Sequence, residues 1–124
     1  MSYLLVFLGG GLGAALRHGV NRAAFAALGP GSPWATLLVN VIGSLAMGML
    51  AGWFLGRGLN DHPARMFLAT GLLGGFTTFS AFSHDAVMLW QRGDHALAAG
   101  YVAGSVTASI LALLLGLALA RAVP

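Results

Sequence analysis

The sequence predicts an all-α membrane protein of four closely packed transmembrane helices, the third of them interrupted. Of its 124 residues 58% are hydrophobic and only 7% charged, and the mean hydropathy is +0.85, far too apolar for an ordinary soluble domain. Charges and prolines cut the chain into four apolar stretches of roughly span length. The 19 glycines complete the case, because helices in lipid gain little by hydrophobic contact and associate where small residues let their backbones approach.

A bilayer span needs about 20 mostly apolar residues. The first stretch runs from about Tyr3 to Leu28 and the second from Trp34 to Leu55. A third covers about Ala64 to Trp90 and a fourth Ala96 to Ala120, so residues 1–124 read as one transmembrane domain. Met1–Leu16 has no cationic region ahead of its apolar run and is kept as a helix, not a signal peptide. The connections carry turn chemistry: Gly29-Pro30-Gly31-Ser32-Pro33, with Ser32 placed to cap the helix begun at Pro33, then Asn60-Asp61-His62-Pro63 and Gly93-Asp94.

Six arginines, no lysine and three aspartates give a net charge of +3, dispersed between apolar stretches, which disfavours nucleic-acid binding. Without cysteine there is neither a disulfide framework nor thiolate chemistry. Four spans put both termini and the second loop on one side. Arg57, Arg65 and Arg121 then face Arg17, Arg22 and Arg92 across the membrane, a balance that gives the insertion machinery no instruction. Insertion in both orientations would permit an antiparallel, dual-topology homodimer; a fixed topology set by other features is the alternative.

Small residues recur every four positions at Ser44, Gly48, Gly52 and Gly56, and again at Ala108, Ala112, Gly116 and Ala120; Gly9 and Gly13 repeat the spacing on the first helix. Four short helices enclose little volume of their own, so a polar pathway is more easily built between subunits than within one.

Polar groups at membrane depth are costly unless paired. Helix two carries Thr36 and Asn40 one turn apart, and helix four carries Tyr101, Ser105 and Ser109 at successive i, i+4 positions, with Thr107 off that line. Such groups serve either as glue between helices and bonds to their own backbone or as a polar track. In the third span, a paired glycine followed by two threonines is poor material for an unbroken helix, and a break near Gly74–Thr78 is expected. Unwound carbonyls at depth are free to coordinate a cation. Phe79 and Phe82 follow on one face; a pair so spaced ordinarily packs, but ring edges are electropositive and can stabilise a small anion without trapping it.

The segments Gly10-Gly11-Leu12-Gly13-Ala14-Ala15-Leu16-Arg17, Thr36-Leu37-Leu38-Val39-Asn40-Val41-Ile42-Gly43-Ser44 and Gly74-Gly75-Phe76-Thr77-Thr78-Phe79-Ser80-Ala81-Phe82-Ser83 resemble the CrcB/Fluc fluoride channels of bacteria. Length and four-span layout agree, so the resemblance covers essentially the whole chain. It implies passive fluoride export across the bacterial cytoplasmic (inner) membrane by a dual-topology homodimer with two pores. It implies further that Phe79 and Phe82 meet fluoride edge-on, that Asn40 donates to the ion, and that Tyr101, Ser105 and Ser109 line a track with Thr36 nearby. Backbone carbonyls of Gly74 and Thr77 from both subunits would hold a structural sodium ion, and Arg17, at the end of helix one, would sit near an aqueous entrance. Two departures stand out: Ala81 where a threonine is common, and His84-Asp85 where a hydrophobic residue and a glutamate are frequent.

Rival readings are weaker. Gly9-x-Gly11-x-x-Ala14 imitates a dinucleotide-binding turn but lacks the acid about 20 residues on and the βαβ context. His18, His62, His84 and His95 form no ligand pair by spacing. A small dual-topology multidrug or guanidinium exporter would resemble its class in a buried glutamate on helix one, which this chain lacks. A non-conducting assembly protein would use its polar stripes as glue. With no nucleotide site and no acid at mid-membrane, flow is expected to be passive.

Overall fold

A computed structural model describes all 124 residues, and the chain is helical throughout, with no strand. Four helical segments are long and apolar enough to cross a membrane: Ser2–Leu28, Trp34–Gly56, Pro63–Gln91 and His95–Ala122. The first two are the unbroken helices α1 (Ser2–Leu28) and α2 (Trp34–Gly56). The third span is two helices, α3 (residues 63–76) and α4 (Phe79–Gln91), and the last is α5 (His95–Ala122). The glycines of the connections take the left-handed φ that turns demand, +87° at Gly29 and +86° at Gly93. Ser32 Oγ accepts from Trp34 N–H at 3.4 Å, a long bond at the start of α2.

The helices pair by backbone contact. A methyl added at Gly48 would overlap the Leu113 carbonyl, and one at Gly116 would overlap the Leu45 carbonyl and lie 2.8 Å from the Met49 nitrogen. Glycine is therefore required from both sides for α2 and α5 to lie this close. The stripe ends before Gly56, where an added methyl meets nothing within 4 Å. On α1, a methyl at Gly9 would sit 2.9 Å from the Leu72 nitrogen, and one at Gly13 would sit 2.8 Å from the Phe76 nitrogen, so α1 lies directly on the α3 backbone. The outward faces, Leu4, Leu8, Leu12 and Leu16 on α1 and Ile110, Leu111, Leu114 and Leu115 on α5, are exposed and apolar as a lipid-facing surface requires.

α3 departs from a regular α-helix. Pro63 opens it, with His62 Nδ1 accepting from Ala64 N–H at 3.1 Å. Met66–Leu73 then winds as a π-helix, so that the Gly74 N–H reaches back to the Ala69 carbonyl. Nothing in the sequence announced this widened turn. The helix regains α geometry over Gly74–Phe76 and stops: Thr77 is extended at φ −83°, ψ 157°, and Thr78 at φ −153°, ψ 117°.

The interruption therefore falls on the threonines and not on the glycines. Gly75 stays helical because it packs on α1, where a methyl would overlap the Gly10 carbonyl and lie 3.0 Å from its Cα. The β-branched Thr77 and Thr78 suit extended backbone. Thr78 then restarts the helix as its N-cap, Oγ1 accepting from Ala81 N–H at 3.1 Å.

Substituting Gly116→Leu forces a side chain into the α2 backbone, and thermal unfolding in detergent should show a loss of about 1–3 kcal/mol or more. Gly56→Ala, in open space, should unfold within about 0.5 kcal/mol of wild type.

Candidate functional site

The broken span needs outside help for its backbone, and Asn40 supplies it. Thr78 N–H donates to Asn40 Oδ1 at 2.8 Å, and Asn40 Nδ2 donates to Thr78 O at 3.0 Å, so the amide pairs with Thr78 as a neighbouring strand would. This reciprocal pattern also fixes which end of the amide is oxygen. One Nδ2 hydrogen remains uncommitted. Thr77 turns its N–H and its hydroxyl back to Leu73 O, at 3.0 and 2.9 Å, while its own carbonyl accepts no hydrogen bond. Its methyl fills the space beside Gly43, where any side chain would overlap Thr77 Cγ2.

Beside this break lies a cleft of about 340 Å³ lined by Asn40, Ser44, Thr77, Thr78, Phe79, Phe82, Ser105 and Ser109 with apolar neighbours from α2 and α5. The two rings stand 5.4 Å apart with planes inclined at 46°. They differ in environment: Phe82 is 8% exposed and Phe79 is 78% exposed. Ser105 is buried, yet its Oγ has no hydrogen-bond partner. A buried hydroxyl left unpaired beside a cleft is a donor in want of an acceptor.

A second cavity of about 240 Å³ lies under the first loop, lined by Asn21, Ser32, Thr36, Ala81 and Asp85 among others. Tyr101 links the two. Its ring packs 5.5 Å from Phe82, which lines the first cavity, and its hydroxyl donates to Asp85 Oδ2 in the second at 3.2 Å.

The structure brings Asn40, Phe79, Phe82, Ser105 and Ser109 to one cleft. Thr36 shares a helix face with Asn40 but opens on the second cavity, because the polar stripe passes from one chamber to the other at Tyr101. Arg17 needs correcting: α1 continues to Leu28, so Arg17 lies within the helix and not at its end, and its Nε donates to Gly75 O at 3.1 Å. It is tied to the last turn before the break. Asp85 lies inside the third span, half-buried, and lines the second cavity and not the first. Sequence reading missed Thr78 as the partner of Asn40 and Asp85 as the partner of Tyr101. The adjacent threonines were the available signal for the first; nothing local signalled the second.

These features define a multi-pass helical membrane protein whose third span breaks beside a cleft of hydroxyl, amide and phenyl groups. The family described as CrcB-like protein, Camphor Resistance (CrcB), matches residues 4–117, and the chain belongs to that family. It is 54% identical to the fluoride-specific ion channel FluC of Rhodopseudomonas palustris, over 99% of each chain. It is 52% identical to the fluoride-specific ion channel FluC 2 of Nitrobacter hamburgensis over 98% of each, and 54% identical to FluC of Methylobacterium nodulans over 98% of this chain and 97% of the other.

Ser105→Ala removes an unpaired hydroxyl and should leave the melting temperature unchanged or slightly higher. Thr78→Ala removes the cap of α4 and should cost about 1 kcal/mol in the same assay.

Proposed function

We propose that the protein is a passive, fluoride-selective ion channel, working as an antiparallel dual-topology homodimer in the bacterial cytoplasmic membrane. The observation that carries the reading is the cleft at the broken span, where the unpaired Ser105 hydroxyl, the spare Asn40 N–H and the Phe79–Phe82 pair converge. The names of relatives about half identical over nearly full length point to the same ion.

The physical demands of fluoride fit these groups. The ion is small and strongly hydrated, so a pore must replace its water with several donors while keeping each site weak enough to release it. Asn40, Ser105 and Ser109 offer such donors, and the electropositive edges of Phe79 and Phe82 add attraction without a full charge. The positive end of α4 begins at the same place, an arrangement that favours anions. Tyr101 and Thr36 carry the polar track into the second cavity. Arg17, tied to Gly75 O, would bring its charge to an entrance only where water reaches the last turn before the break.

Two features support a second copy. The cleft is open on one side, and Phe79, highly exposed, has its aromatic partner on one flank only. The balanced arginines leave either orientation available.

The reading includes a structural sodium ion between the copies, held by the carbonyls of Gly74 and Thr77. The residues present fit such a group. Thr77 O accepts nothing, and the natural donors to Gly74 O, the N–H groups of Thr77 and Thr78, are bonded to Leu73 and Asn40 instead. Neutral carbonyl oxygens suit a hard cation, and its charge would help admit anions to a pore that carries little positive charge of its own.

Liposomes containing the purified protein and potassium fluoride should empty fluoride when valinomycin is added, and retain chloride under the same conditions. Equal leakage of both ions would overturn the assignment. Phe79→Ile and Phe82→Ile should each slow fluoride efflux by at least about tenfold while the protein still migrates as a dimer. Two or three lysines added beside one terminus should fix orientation and abolish activity of that variant expressed alone; full activity would count against dual topology.

A further inference from the structure

We infer that Asn40 is a positioning residue for the central cation site, its amide intercepting the Thr78 peptide groups so that the Gly74 and Thr77 carbonyls are released toward an ion. The inference rests on the sodium reading above and adds to it the residue that shapes the site.

The geometry is specific. In an unbroken helix the Thr78 N–H would bond Gly74 O, four residues back. Asn40 Oδ1 takes that N–H at 2.8 Å, so Gly74 O loses its donor. The Thr78 N–H and the Thr77 carbonyl belong to one planar trans peptide, in which N–H and C=O point in opposite directions. An N–H directed at Asn40 therefore directs Thr77 O away from α2, and that oxygen accepts no hydrogen bond. The second bond, from Asn40 Nδ2 to Thr78 O at 3.0 Å, fixes the next peptide and prevents the first from rotating. Arg17, bonded to Gly75 O at 3.1 Å, occupies the first of the two intervening carbonyls from α1. Gly74 O and Thr77 O are thus left without donors, as is Phe76 O between them, while Leu73 O, Gly75 O and Thr78 O accept hydrogen bonds.

The role differs from donating to fluoride, and sodium separates the two. Thermal unfolding of the detergent-solubilised protein, in sodium chloride against N-methyl-D-glucamine chloride and without fluoride, reads cation binding apart from conduction. Wild type should be stabilised by sodium, with a definite midpoint concentration. Asn40→Ala should raise that midpoint at least about tenfold, because two backbone hydrogen bonds are lost. Ser109→Ala, in the pore but remote from these peptides, should slow fluoride efflux while keeping the wild-type sodium midpoint. Asn40→Asp guards against a folding defect: its ionised carboxylate cannot donate to Thr78 O, whereas its protonated form restores both donor and acceptor. Sodium stabilisation of that variant should be weak at neutral pH and recover on acidification, with wild type unchanged over the same range. A wild-type midpoint in Asn40→Ala, or an Asn40→Asp response independent of pH, would overturn the inference while leaving the sodium reading standing. An absence of sodium stabilisation in wild type would remove both.

Discussion

Within a bilayer, a peptide group without a hydrogen-bond partner costs several kcal/mol, and an interrupted helix creates a run of them. The pair of hydrogen bonds between Asn40 and the Thr78 backbone is what makes the interruption tolerable here. Removing the amide would force the third span either to close into a continuous helix or to hydrate its centre. The first course would carry Phe79 and Phe82 around the helix axis and away from Ser105, since a shift of one residue turns a helix by about 100°. The placing of the aromatic pair beside Ser105 and the free Thr77 carbonyl thus depend on one contact between α2 and the break.

That contact needs α2, α1 and the broken span at close range, and glycine supplies it. Gly9 and Gly13 seat α1 on the backbone of α3, while Gly43 admits the Thr77 side chain against α2. Gly48 and Gly116 lock α2 to α5, fixing the helix that carries Asn40 against the one that carries Ser105 and Ser109. The π-helical winding of Met66–Leu73 belongs to the same framework, since it occupies the stretch of α3 on which Gly9 rests. A polar site in lipid is built here by packing backbones, because side-chain hydrophobicity discriminates nothing when the solvent is itself apolar.

Much of this was legible in the sequence because the bilayer imposes simple rules. Span length, the cost of charge and the four-residue repeat of small residues predicted four packed helices, and the Gly-Gly-x-Thr-Thr run predicted a broken third one. The position of the break was legible only to within a few residues. Glycine permits unwinding, but at Gly75 it serves close approach to α1, and the extended residues are the threonines. Pairings across the fold were not legible: Asn40 with Thr78, Arg17 with Gly75 and Tyr101 with Asp85 join residues 38, 58 and 16 positions apart, and no local pattern encodes them. Spacing placed Thr36 and Asn40 on one helix face, which is true, but a face shared along a helix is not a cavity shared.

The electrostatics of the break follow from its being a break. Cutting one helix in two creates a carbonyl-rich end at Phe76 and an amide-rich end at Phe79 within a few residues of each other. The first end favours a cation and the second an anion, so a single interruption offers both kinds of site within a few residues. Dipoles of this kind attract about half an elementary charge's worth at each end, and they are held in place by the fold. A lysine or arginine lining the cleft itself would hold a small anion more tightly and release it more slowly, and Arg17, which bonds Gly75 O, is not among the cleft's lining residues. The aspartate that does enter the span, Asp85, is held by the Tyr101 hydroxyl at the second cavity, one turn beyond Phe82. Formal charge therefore meets the third span at two places, Arg17 at the Gly75 carbonyl before the break and Asp85 in the chamber under the first loop, while the cleft itself is lined by dipoles and rings.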